Sequence, residues 1–134
     1  ADAKVAPELE TEARYYRSKA LVDANQMQHA VADWEALAKD TRNVYGAEAK
    51  YRLAQYLFDS GKTDEAEKEV LNYMEVSTPH AYWLARSFVL LSDIYAKLDR
   101  KLEARQYLLS LKQNYQADDD IAGMIESRLE NLKE

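Results

Sequence analysis

Few groups in this chain could do chemistry. His29 and His80 are the only histidines among 134 residues, and cysteine is absent. Neither histidine stands in a metal-binding spacing such as HExxH, so both read as surface or interhelical residues. The run Asp118, Asp119, Asp120 offers oxygen atoms, but the spaced ligands of a calcium loop do not follow it, and capping of a helix start accounts for it better. Gly46, Gly61 and Gly123 are isolated, so no glycine loop cradles a phosphate. Asp and Glu number 24, yet no spacing singles out an acid and a base. The chain is therefore expected not to be an enzyme, and to carry no cofactor or metal. The 10 tyrosines suit rings packed between helices with the hydroxyl reaching water.

The elements that must position these residues follow from composition. Gly (3) and Pro (2) are scarce, while Ala, Leu, Glu and Lys are abundant, which predicts a chain made mostly of helix. The length suits a single domain. The net charge of -6 comes from acids interspersed with bases, with no basic block or aromatic-basic stripe, so nucleic acid is a poor partner. No apolar run approaches the ~18 residues of a bilayer span, so no direct membrane insertion is expected, and no signal-peptide pattern opens the chain. The first residue is Ala1 rather than Met, pointing to a processed product or a piece of a longer protein. A cysteine-free chain fits cytoplasm and periplasm alike.

The sequence repeats internally. With residue 66 set on residue 104, an offset of 38, Leu53 meets Leu91, Ala54 meets Ser92, Leu57 meets Tyr95, Ala66 meets Ala104, Val70 meets Leu108 and Tyr73 meets Leu111. An earlier, weaker copy sets Ser18, Leu21, Asn25, Ala30, Trp34 and Leu37 on Ala54, Leu57, Gly61, Ala66, Val70 and Tyr73, an offset of 36. A small residue midway along the first helix (Ser18, Ala54, Ser92) and another early in the second (Ala30, Ala66, Ala104) let two helices cross at ~8–10 Å. Between them stand Asn25, Gly61 and Asp99, residue types that accept the left-handed conformation closing a helix.

Seven helices are predicted, over 7–24, 27–40, 43–60, 63–76, 79–97, 101–114 and 118–132. Thr78 with Pro79, Thr63 ahead of Asp64 and Glu65, and Pro7 with Glu8 and Glu10 mark helix starts. The last helix carries Ile121, Met124, Ile125, Leu129 and Leu132 on one side, as a helix closing an open stack would. No comparable cap precedes the first pair. Its face is expected to meet either a preceding repeat in a longer parent or a second copy of the chain.

The set Leu53, Ala54, Leu57, Gly61, Ala66, Val70 and Pro79 resembles the tetratricopeptide repeat family, with Lys50 in place of the family's Trp and Tyr73 in place of its last Ala. The first repeat departs furthest, with Arg17 where Leu is usual. The resemblance implies an all-α, α-α superhelix of about three helix pairs (about 8–42, 43–78 and 79–116) plus a capping helix at 118–132. In character the set looks like periplasmic, outer-membrane-associated bacterial relatives of that family.

In the family the first helix of each pair lines a concave groove that binds a protein segment. Carried over, the groove positions are Tyr15, Lys19 and Asp23, then Tyr51, Gln55, Phe58 and Asp59, then Arg86, Val89, Asp93 and Lys97. Tyr51 and Phe58, two turns apart on one face, are the expected anchors, or else they pack against the neighbouring helix. Where some family members clamp a C-terminal carboxylate, this chain has Tyr15, Lys19, Arg52, Arg86 and Leu90, too few cations for that role. The reading is a non-catalytic scaffold for a protein or peptide partner. An architectural segment that self-associates is the second, and a helical enzyme or ligand carrier the third.

Overall fold

A computed structural model describes residues 6–76 and 79–133. It contains α1 (Ala6–Asp23), α2 (Met27–Leu37), α3 (Val44–Asp59), α4 (Thr63–Glu75), α5 (Ala81–Lys97), α6 (Lys101–Asn114) and α7 (Ile121–Asn131), and no strand among the described residues. None of these helices is long and apolar enough to cross a membrane.

The helix ends differ from expectation in instructive places. α2 stops at Leu37 rather than 40, and the chain turns back at once into α3, whose cap is the Asn43 side chain accepting from Gly46 N–H at 2.7 Å. Gly46 is needed there, since a Cβ would lie 1.9 Å from the Asp40 carbonyl oxygen. Thr63 is the first residue of α4, with Asp64 and Glu65 in the first turn, where acids suit the helix dipole; Lys62 holds the cap position without a side-chain bond. α5 begins at Ala81, two residues beyond Pro79, and the Thr78 cap falls outside the described residues.

The three turns inside the pairs are built alike. Asn25 (φ 59°), Gly61 (φ 83°) and Asp99 (φ 61°) are left-handed, as their residue types predicted. In each, the next amide reaches back five residues: Gln26 N–H to Leu21 O, Lys62 N–H to Leu57 O and Arg100 N–H to Tyr95 O, all 2.8 Å. A companion bond spanning three residues, such as Gly61 N–H to Phe58 O at 3.1 Å, completes the Schellman motif that closes the first helix of each pair.

Consecutive helices pack as antiparallel neighbours, α1 with α2, α3 with α4 and α5 with α6. The small residues expected at these crossings, Ser18, Ala54, Ser92, Ala30, Ala66 and Ala104, are all buried. Each odd helix also touches the next odd helix, and each even helix touches the odd helix that follows it. Even helices do not touch one another, and no described helix touches another more than two places along the chain. This is an open stack of helix pairs rather than a closed bundle. Its odd-numbered helices form the row in which successive pairs touch directly.

Two apolar clusters run through the stack. Ala30, Trp34, Leu37, Ala49 and Leu53 join the first pair to α3, and a larger cluster from Tyr51 to Leu132 joins α3 through α7. α7 contributes Ile121 and Ile125 to it and so covers the end of the last pair. Two of the departures from the repeat pattern, Arg17 and Lys50, are polar bridges. Arg17 grips the buried Asp33 of α2 through both Nε and Nη2. Lys50 reaches Asn72 (2.7 Å) and Glu69 (2.9 Å) on α4.

Candidate binding groove on the odd-numbered helices

The face formed by α1, α3, α5 and α7 gathers most of the residues expected in the groove. At its first end Tyr15 donates to Glu48 Oε1 (2.8 Å), and Arg52 donates from Nε to Glu48 Oε2 (3.1 Å). Lys19 Nζ lies 5.6 Å from the centre of the Tyr15 ring, a cation–π contact. Burial, then the bond to Glu48, pushes the Tyr15 hydroxyl up to about 12. With Asp23 at the rim, these residues surround a cleft of ≈ 160 Å³ floored by Val22, Trp34 and Ala49.

The middle of the face is a continuous hydrogen-bonded line. Gln55 donates to Asp59 (2.9 Å) and accepts from Tyr51 Oη (3.1 Å); Tyr51 in turn accepts from Arg86 Nη2 (3.0 Å). Arg86 Nη1 donates to Tyr82 Oη (2.9 Å), which donates to Asp120 (2.9 Å). Arg86 therefore joins α3, its own helix α5 and the residue that opens α7. Its guanidinium sits 4.9 Å from the Tyr51 ring centre, and that of Arg52 5.5 Å from the Trp83 ring centre. Burial depresses the Arg86 pKa, but its bond to Tyr82 and the phenolic oxygen of Tyr51 outweigh that and leave it raised. Tyr82 is raised by burial, only partly offset by Arg86.

The far end is closed by α7. Arg128 clasps Asp93 with two bonds of 3.2 Å, and Lys97 stands exposed in the last turn of α5.

Two expected groove residues do not offer themselves to a partner. Tyr51 is only 5% exposed and Val89 only 3%, because the packing of α5 on α3 draws the Tyr51 ring inside and Val89, on α5 itself, faces the core; both belong to the larger core cluster. Phe58 is half-buried against the same cluster. Of the two expected anchors, Tyr51 presents its hydroxyl to Arg86 and keeps its ring inside.

The spacing did not single out Glu48, Tyr82, Trp83, Asp120 or Arg128. The signal was the repeat itself, since Trp83 occupies the place of Tyr45 one unit later, where a ring packs on the preceding pair. The aspartate run serves structure: Asp119 accepts from Ile121 N–H (2.9 Å) and from Tyr115 Oη (2.5 Å), while Asp120 takes the Tyr82 hydroxyl. No cluster of His, Asp and Glu among the described residues could hold a metal ion. No family model, no curated protein and no solved structure matches the chain.

Proposed function

We propose that the chain is a non-catalytic interaction scaffold that receives an extended protein segment along its odd-numbered helices, in the manner of the tetratricopeptide repeat proteins its sequence resembles. The observation that carries this is the line from Asp59 through Gln55, Tyr51, Arg86 and Tyr82 to Asp120. It holds charged and amide groups in fixed orientation across successive helices, which lowers the ordering cost of binding. Half-buried Phe58 and Trp83 beside it supply apolar area next to groups able to pair with a peptide backbone. The same resemblance favours a bacterial, periplasmic setting for such a scaffold.

Selection of peptides from a random display library against the whole chain tests the reading. Selected peptides should lose at least about tenfold in affinity on Phe58→Ala with Lys97→Glu, and should bind the even-face variant Lys68→Glu as before. Equal binding to both variants, or no enrichment, overturns it.

A further inference from the structure

The side of α1 turned away from its neighbours carries Leu9, Ala13, Tyr16 and Ala20, spaced four, three and four residues apart and so aligned in one stripe. Leu9 is 59% and Tyr16 58% exposed, and both alanines are exposed too. At the repeat offsets these places are Tyr45, Ala49, Arg52 and Tyr56 in α3, and Trp83, Ser87, Leu90 and Ile94 in α5. There the preceding helix pair lies over all but Arg52, which lines the groove cleft: Ala49, Ser87, Leu90 and Ile94 are buried, and Tyr45 and Tyr56 pack on the cluster that holds Trp34. Among the described residues nothing covers this surface of α1, which the fold elsewhere covers with a helix.

The pattern of the stripe identifies what fits it. Laid antiparallel on a second α1, it sets Leu9 opposite Ala20 and Tyr16 opposite Ala13, a large side chain against a small one at every place. A parallel alignment stacks Leu9 on Leu9 and Tyr16 on Tyr16, and leaves alanine facing alanine. Charge agrees. Exposed Glu10 and Glu12 flank the first half of the stripe, and exposed Lys19 and Arg17, the latter also holding Asp33, flank the second, so antiparallel copies bring acids beside bases, and parallel copies bring like charges together. The opposite end of the stack is a poor occupant, because the outer side of α7 exposes Glu126, Ser127 and Glu130. We infer that α1 is a self-association surface on which two copies meet antiparallel, α1 against α1, about a two-fold axis.

One helix against another lies at the small end of specific interfaces, below about 1,200 Å², so the dimer is weak and appears with concentration. Sedimentation of the whole chain up to about 1 mM should show monomer and dimer in exchange. Ala13→Glu, an exposed helical site, should keep the helical circular dichroism and weaken the dimer at least about tenfold. Because the chain has no cysteine, orientation can be read directly. An oxidised mixture of Leu9→Cys and Ala20→Cys chains should cross-link between the two kinds, and Leu9→Cys alone should not. A monomer at all concentrations, a dimer indifferent to Ala13→Glu, or Leu9→Cys linking to itself overturns the inference. So does a monomer whose stripe takes up only a foreign helix pair.

Discussion

Arg86 on α5 donates to the hydroxyl of Tyr51 on α3 at 3.0 Å while its cation sits 4.9 Å from the centre of the same ring, so one side chain fastens consecutive helix pairs by two different forces. With only 21% of the Arg86 side chain exposed, its loss is felt by the fold. Arg86→Met should cost about 1–3 kcal/mol in urea unfolding. Tyr51→Phe should cost about 1 kcal/mol, and Tyr51→Ala about 3–5 kcal/mol because it empties a buried site. Near-wild-type melting of Tyr51→Ala would contradict the burial of this ring.

Arg17 and Asp33 are unequal partners. The Asp33 side chain is 4% exposed and that of Arg17 reaches solvent, so removing the base leaves a buried acid with only the more distant Arg14, 3.9 Å away, whereas removing the acid returns the base to water. Arg17→Ala should therefore destabilise the chain more than Asp33→Ala does. Arg17→Leu with Asp33→Leu should regain most of the loss. Paired chemical-denaturation curves give both differences.

Glycine at two helical positions has opposite value. Gly46→Ala drives a methyl into the Asp40 and Leu37 carbonyls, and should cost more than about 2 kcal/mol since backbone must move. Nothing lies within 4 Å of a Cβ at Gly123 in α7, so Gly123→Ala should stabilise by about 0.5–1 kcal/mol. Thermal melts of the two variants should shift in opposite directions.

Ser18, Ala54 and Ser92 fill one structural role, but the two serine hydroxyls fare differently. Ser18 Oγ donates to Tyr15 O at 2.6 Å, while Ser92 Oγ is buried without a hydrogen-bond partner among the described residues. Ser92→Ala should be neutral or stabilising by up to about 1 kcal/mol and Ser18→Ala destabilising by a similar amount. Ser92→Leu should disrupt the pairing of α5 with α6. Calorimetry of the three variants checks the order.

Alkaline titration should loosen the two ends of the stack. Tyr15, through burial and its bond to Glu48, and Tyr115, through burial and its bond to Asp119, are each pushed up to about 12. The folded chain then keeps these protons longer than the unfolded chain does. Their contribution is whole below pH ~10 and is lost as the pH rises from there toward ~12. Wild type should exceed Tyr15→Phe in stability at pH 8, and the gap should close by pH 12. A constant gap would contradict the shift.

What could be read from residues alone was whatever depends on neighbours along the chain. The turns at Asn25, Gly61 and Asp99 and the small crossing residues were legible because a left-handed φ and a close helix approach each demand a residue type at a fixed place. The groove was less so. Whether Tyr51 shows its ring or its hydroxyl depends on how α5 rotates over α3, and the spacing within α3 says nothing of that. Asp120 was read as a cap, yet its partner Tyr82 stands 38 residues earlier, in register only once the stack exists. Arg17 looked like a defect in the first repeat until Asp33, unremarkable on its own helix, was found facing it.

Because every helix leans only on those one or two places away, no distant strand or helix has to be found before the fold can grow. Folding should be fast and begin wherever one pair forms first. Under tension the chain should come apart in hairpin-sized steps rather than in a single rupture. The first pair, tied to the remainder by the smaller cluster, should yield soonest.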